Sequence, residues 1–248
     1  MDLHKLVEVV NNLKDDTKYY GEYGKQWLSN SDINTLLNNP KQFRKPQLET
    51  KAMIEGRYFH TAMLEPEKLK DFTVLNLQSR NTKTYKEYVE VNDKQIYLLV
   101  KEVQHLAKVV EVMRKNKLMS KEIYDPDNMY EVPMVKNFFG LQWKGKADIV
   151  CNDKLIDIKT TSDINKFKFS ARKYNYDSQA YIYQELFGKP LVFYVVDKNT
   201  FDLGIYEPSA DFLDRGKEKV EDAVVIYNRF FDLNSTEDIN QYVHHETL

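Results

Sequence analysis

Gly145-Lys146-Ala147-Asp148-Ile149-Val150-Cys151-Asn152-Asp153-Lys154-Leu155-Ile156-Asp157-Ile158-Lys159 is the stretch on which the fold turns. Two β-branched, apolar runs flank Asn152-Asp153, a turn pair, so Leu141 to Cys151 and Leu155 to Thr160 read as a β-hairpin. That turn sets the pairing: Cys151 with Lys154, Val150 with Leu155, Ile149 with Ile156, and Asp148 with Asp157. Opposed residues hold their Cβ atoms about 4.5–5.5 Å apart. Two aspartates at that distance repel, and apolar neighbours keep water from relieving them. A divalent cation resolves the conflict, since Mg²⁺ takes oxygen ligands from one or two carboxylates. Lys159 lies two residues beyond Asp157 and therefore on the same face. Two carboxylates and an ammonium there suit phosphodiester hydrolysis: the lysine orients or deprotonates a water and faces the charge developing on phosphorus. The same pattern also arises in a surface hairpin with solvated Asp–Lys pairs, which contribute little.

Outward from the hairpin, Glu131 to Val135 is a further strand, and Asn137-Phe138-Phe139-Gly140 turns it into the next. Downstream, Asp177 to Phe187 is a helix ending on Gly188 with Pro190 just beyond. Leu191 to Asp197 is a continuous apolar strand, Phe201 to Glu207 pairs back, and Ser209 caps a long final helix. Upstream, Ser31 is the expected N-cap of a helix bearing Ile33, Leu36 and Leu37, which Asn39-Pro40 ends. Thr50 to Leu64 is a second helix. Lys94 to Asn116 is a third, with Val100, Val103, Ala107, Val110 and Met113 inward. Helices, an antiparallel meander, a crossover helix and a returning strand make an α/β fold with a mixed central β-sheet flanked by helices. No Pro/Gly/Ser-rich linker divides the 248 residues, so we expect one domain over 27–232, an N-terminal segment 1–26 and a polar tail 233–248.

Bulk composition excludes several classes. No apolar run reaches the ~20 residues of a membrane span, and a single cysteine, Cys151, rules out an intrachain disulfide and a cysteine-ligated cluster. A cytoplasmic protein is expected. The net charge of −2 is not that of a chain binding nucleic acid by charge alone, although basic residues still cluster locally. No Gly-x-Ser-x-Gly is present, and Cys151 lies at a strand end with no helix N-terminus to activate it.

Other motifs stand in a fixed order around the hairpin. Gly56 and His60 share one face of the Thr50–Leu64 helix, where a glycine costs about 1 kcal/mol and so points to close packing or cleared space. Gln179 and Tyr183 share a face of the later helix. Gly-x-x-x-His, an acidic-Pro step at Glu65-Pro66, Lys-Ala-Asp, Ile-Asp-Ile-Lys-Thr-Thr and Gln-x-x-x-Tyr together resemble the RecB-type PD-(D/E)XK nucleases. The likeness is greatest to RecE-like (exonuclease VIII-type) phage and prophage exonucleases. Their typical opening also resembles Leu28-Ser29-Asn30-Ser31-Asp32 with Asn39-Pro40 downstream, so the likeness runs from about Trp27 to Phe231.

The resemblance implies a restriction-endonuclease-like core and a metal-dependent deoxyribonuclease, most closely a 5′→3′ double-strand exonuclease leaving 3′ single-stranded tails for recombination. It implies His60, Asp148, Asp157 and the backbone carbonyl of Ile158 as ligands to one or two Mg²⁺ (or Mn²⁺) ions, with Lys159 as the catalytic lysine. Glu131 is a further acidic candidate, Gln179 and Tyr183 would lie beside the substrate strand, and Arg44, Lys45 and Arg57 are candidate DNA contacts. Lys144, Lys146, Lys166, Lys168, Arg172 and Lys173 extend the basic surface. Expected partners are duplex DNA ends, further copies of the chain in a trimeric or tetrameric ring, and a single-strand annealing protein. The chain departs from the pattern in using Asp rather than the commoner Glu at position 157, and in lacking the long N-terminal region of full-length RecE. Alternatives are a cluster-free endonuclease and an inactive DNA-binding protein of the same fold.

Overall fold

A computed structural model describes residues 2–92 and 96–243. Helices α1 (Leu3–Leu13), α2 (Asp16–Tyr20), α3 (Asn30–Asn38) and α4 (Lys51–Leu64) lead in. Next come β1 (Val74–Leu75), α5 (Lys83–Val91), β2 (Leu98–Leu99), α6 (Val100–Lys115) and α7 (Lys117–Ile123). The core strands and helices follow: β3 (Met129–Phe138), β4 (Leu141–Val150), β5 (Leu155–Thr161), α8 (Phe167–Lys173) and α9 (Tyr176–Phe187). Last are β6 (Leu191–Asp197), β7 (Leu203–Tyr206) and α10 (Ala210–Phe230).

Strands β3 to β7 form one sheet in sequence order, with β5 and β6 parallel and the other neighbours antiparallel. This is the expected mixed sheet: the β5–β6 connection needs a crossover, and α8 and α9 supply it. Two helical layers cover the sheet. Helices α4, α6 and α7 pack over Ile149, Ile156, Ile158, Val192, Tyr194 and Val196. On the other face α9 covers Ala147, Val150, Leu155, Leu191, Phe193 and Val195, together with α8. The same helix joins α3 and α10 around Trp143. Helix α1 lies against β3 through Val9, Leu13 and Val135.

Local chemistry explains most boundaries, and four expectations are corrected. The N-cap of α3 is Ser29 rather than Ser31, because the Asp32 carboxylate reaches back to accept the Ser29 N–H at 2.8 Å. The third helix begins at Val100; its expected start, Lys94, lies outside the described residues. Val103, Val110 and Met113 face the core as expected and Leu106 and Val109 join them, but Ala107 is exposed. Glu102 is also drawn inward: Arg80 donates to its Oε2 at 2.7 Å and the Leu99 N–H at 2.9 Å. Thr50 caps α4, Ser209 caps α10 and α9 ends on Gly188 at φ +67°, as expected, but β3 runs on through Asn137 and Phe138, which pair with Gln142 and Leu141, so the turn shrinks to Phe139-Gly140.

Helices α9 and α10 cross so tightly that Gly216 has no room for a side chain. A Cβ there would sit 2.2 Å from the Asp177 carbonyl oxygen. Replacing Gly216 by alanine should therefore force the helices apart and cost about 1–3 kcal/mol, read as a melting temperature several degrees lower. An unchanged melting temperature would show that the crossing yields freely.

Candidate metal centre and active site

The sheet is interrupted at one place, and the conspicuous carboxylates gather there. Strands β3 and β4 pair Tyr130 with Ile149 and Val132 with Ala147, but the rung between them, Glu131 opposite Asp148, is absent from the ladder. Strands β4 and β5 pair Val150 with Leu155 and Ile149 with Ile156, and the ladder stops one rung short of Asp148 and Asp157. The pleat also changes phase: Ala147 and Val150 both bury beneath α9, while Ile149 buries on the opposite face. Strict alternation would have put Ala147 and Ile149 on one side. Glu131 adopts φ +48°, the left-handed region, which lets β3 make the same adjustment and keep register on both sides. The expected Asp148–Asp157 rung is thus replaced by an opening between β4 and β5.

Each side chain around the opening is held by a different element. The Asp148 Oδ2 accepts the Ile158 N–H of β5 at 2.9 Å and lies 3.2 Å from His60 Nδ1 of α4. A strand residue points its N–H and C=O to the same edge, so the Ile158 carbonyl also faces the opening. Asp157 is almost fully buried on the α9 side, where Gln179 Nε2 donates to its Oδ1 at 2.6 Å. Its Oδ2 receives no aligned hydrogen bond and stands 2.7 Å from the Lys159 ammonium. The Lys159 ammonium also lies 5.1 Å from the Tyr176 ring centroid. Gly56, one turn from His60, has open space where a Cβ would be, so this face of α4 borders a gap.

Crowded carboxylates in a dry place cannot all be charged. Burial, and then the charge of Asp148, push the Glu131 carboxyl up to about 8. Burial likewise raises Asp157 to about 6, against the pull of Lys159 and with a further push from Asp148. Burial also opposes the Asp148 charge, but His60 outweighs it and keeps that carboxyl below its ordinary value. Burial opposes the charge on His60 too, yet Asp148 prevails and raises the imidazole. Lys159 is buried as well, but Asp157, then Tyr176 and Asp148, hold its ammonium above the ordinary lysine range. The ligand atoms of His60, Glu131 and Asp148 all lie within 4.8 Å of one another, close enough to share a metal ion. Unsatisfied carboxylate oxygens on a sheet that cannot close are the donors a hard divalent cation takes. A metal fits these residues.

The structure therefore brings His60, Glu131, Asp148, Asp157, the Ile158 backbone, Lys159 and Gln179 into one site. Gln179 touches the carboxylate. Tyr183 is placed further off, donating its hydroxyl to the Lys146 carbonyl at 2.9 Å and packing over Gly145. Arg44 donates to the Trp27 carbonyl at 3.1 Å and faces Asp32, Lys45 is exposed, and Arg57 pairs with Glu49 at 2.5 Å. Lys144 and Lys146 are not surface residues: Lys144 donates to the Tyr19 carbonyl, and Lys146 pairs with Asp16. Burial pushes the Lys144 ammonium down to about 8. Tyr176 escaped sequence reasoning, although its place three residues before Gln179 put it on the same side of α9.

With the geometry in hand, comparison places the chain. Residues 28–237 match the family described as "PDDEXK-like domain of unknown function (DUF3799)". The chain belongs to this family. The crystal structure of a "putative exonuclease" from Eubacterium rectale superposes with a TM-score of 0.64 at 18% identity, over 94% of this chain and 95% of that one. That likeness is one of fold. The structure of SSO0001 gives a TM-score of 0.38 at 14% identity, over 91% of this chain and 87% of that one. No curated protein matches the chain. Among the described residues no helix is long and apolar enough to cross a membrane.

The raised carboxyls carry a sign. Between the ordinary value of 4.5 and about 8, the unfolded chain releases a proton that folded Glu131 keeps. Stability is therefore full below pH 4.5 and lost as pH rises through about 8. Asp157 acts the same way from 3.8 to about 6. In EDTA the melting temperature should fall as pH rises across this window, and Glu131→Gln should flatten the upper part of the fall. An identical slope in the variant would remove Glu131 from the cause.

Proposed function

We propose that this PDDEXK-like protein is a metal-dependent nuclease hydrolysing DNA phosphodiester bonds, and that it works as a 5′→3′ exonuclease on duplex ends. The observation that carries the hydrolytic reading is the opened sheet at Asp148. It collects His60, Glu131 and Asp148 around a gap, with Asp157 and the charged Lys159 paired beside them. The exonuclease reading is supported by the ordered motifs that resemble RecE-like enzymes and by the fold shared with the E. rectale protein described as a "putative exonuclease".

A bound Mg²⁺ or Mn²⁺ would supply charge neutralisation on the phosphoryl oxygens and lower the pKa of a coordinated water. His60, Asp148, Asp157 and the Ile158 carbonyl would hold it, with Glu131 beside them. The chain's own groups do the rest. Asp157 keeps Lys159 protonated, so the ammonium donates rather than accepts: it orients a water and faces negative charge as it builds on the phosphate. Gln179 fixes the Asp157 rotamer through Oδ1 and leaves Oδ2 turned toward Lys159. His60 must give up the proton that Asp148 favours before it can act as a ligand, so metal affinity should rise with pH. A ring of several copies around the duplex belongs to the same reading, supported by the likeness to RecE-like enzymes, and light scattering tests it.

Purified protein incubated with 5′- or 3′-labelled linear duplex and a closed circle, in Mg²⁺ or EDTA, tests the proposal directly. Metal-dependent loss from 5′ ends with an intact circle is expected, and Lys159→Ala should slow it about 10²–10³-fold. Cleavage of the circle would make the enzyme an endonuclease. No degradation in Mg²⁺ or Mn²⁺ would sink the nuclease reading.

A further inference from the structure

The corner between α8 and α9 carries features that hydrolysis does not use. Tyr174 is 58% exposed, and Lys168, Phe169, Arg172 and Lys173 of the adjoining α8 are exposed as well. Lys173 Nζ lies 5.7 Å from the Tyr174 ring centroid. From this surface a path of rings runs inward. Tyr174 lies 6.2 Å from Tyr176, and Tyr176 is backed by Phe193 at 5.6 Å and Phe167 at 6.0 Å and has the Lys159 ammonium 5.1 Å from its centroid. An exposed aromatic ring is thus two short steps from the catalytic lysine, a few stacked-base rises of about 3.4 Å.

The corner is also held stiffly. Asn175 sits in the left-handed region at φ +57°. Its carbonyl accepts from Asn30 Nδ2 at 3.2 Å and from Ser178 Oγ at 3.0 Å, and Lys219 Nζ donates to its Oδ1 at 2.8 Å. The next acid, Asp177, is fully buried between Arg215 and Lys219. A ring presented on so constrained a turn keeps its orientation, which stacking requires.

We propose that Tyr174, with Lys173 beside it and Tyr176 behind it, is a stacking platform for an unpaired nucleobase of single-stranded DNA next to the scissile phosphate. This rests on the nuclease reading above. Base faces inside a duplex are already stacked on both sides and a blunt end offers only the outer face of its last pair, whereas a frayed or single-stranded end offers Tyr174 an unpaired base free to turn onto the ring. An aromatic face flanked by cations is how proteins hold single strands without reading sequence. The exposed Lys168, Arg172 and Lys173 provide the charge complement to its phosphates. The platform accordingly selects substrates by the state of their ends.

The test uses duplexes with a blunt end or with a single-stranded tail carrying 2-aminopurine, with Ca²⁺ replacing Mg²⁺ for binding and Mg²⁺ for turnover. Tyr174→Ala should lower the ratio of tailed to blunt affinity about tenfold, abolish the 2-aminopurine quench and raise KM on tailed DNA more than it lowers kcat. Tyr174→Phe should restore all three, since the ring and not the hydroxyl is required. The ring is exposed, so the alanine variant should melt with the wild type, and Tyr174→Trp, which keeps a ring, should deepen the quench. Wild-type protein that degrades DNA while Tyr174→Ala behaves identically on tailed ends would overturn the platform and leave the nuclease reading standing. A phenylalanine variant as impaired as the alanine one would overturn it too. Wild-type protein that neither binds nor degrades DNA would remove both.

Discussion

The arrangement of this molecule depends on a sheet that is prevented from closing. A strand buried on both faces normally satisfies its backbone through both neighbours, and an unpaired group there costs as much as a lost hydrogen bond. Asp148 lies where β4 has no rung with β3 and none with β5. Its carboxylate takes over part of the missing ladder by accepting the Ile158 N–H. The side chain that spoils the pairing thereby also repairs it, and the backbone carbonyl of Ile158 is left turned toward the same opening. Glu131 and Asp148 meet at the missing rung, and Asp157 stands just past the end of the short β4–β5 ladder.

The helical layers make that opening useful. Because β4 changes pleat phase at Asp148, groups from both faces of the sheet converge on one spot. Helix α4 brings His60 from one layer, and α9 brings Gln179 and Tyr176 from the other. A regular sheet would have kept these layers apart by its own thickness. Helix α9 is fixed in turn by its crossing with α10 at Gly216 and by β4 at Gly145, where a Cβ would meet Leu186 at 2.6 Å. The position of the carboxylate partner is therefore set by helix packing remote from the acids.

Much of this was legible in the residues. The hairpin turn at Asn152-Asp153, the strand Leu191–Asp197, the glycine stop at Gly188 and the caps at Thr50 and Ser209 follow from local chemistry, and local chemistry is what a sequence displays. The two-rung register Val150–Leu155 and Ile149–Ile156 was also legible, but not its end. Periodicity presumes an unbroken pleat, and the change of phase at Asp148 is visible only in the packing of Ala147, Ile149 and Val150. The place of Glu131 was hidden by the turn: a loop over residues 137–140 sets another register, and only the two-residue turn Phe139-Gly140, both at positive φ, puts Glu131 opposite Asp148. What else the sequence concealed was long-range. Nothing near Lys144 or Lys146 announces that Asp16 and Tyr19, more than a hundred residues earlier, would cover them. The inward turn of Glu102 likewise depends on Arg80, two elements upstream.

That covering of Lys144 and Lys146 bears on where this domain begins in a physical sense. The family match starts at residue 28, yet Lys146 finds its counter-charge on Asp16, and Lys144 its acceptor and its aromatic neighbour on Tyr19. Both lysines lie on the strand that carries Asp148. The segment ahead of the match is thus a lining for β4, which keeps two ammonium groups from being left dry and unpaired. A boundary drawn at residue 28 would part both lysines of β4 from the groups that hold them.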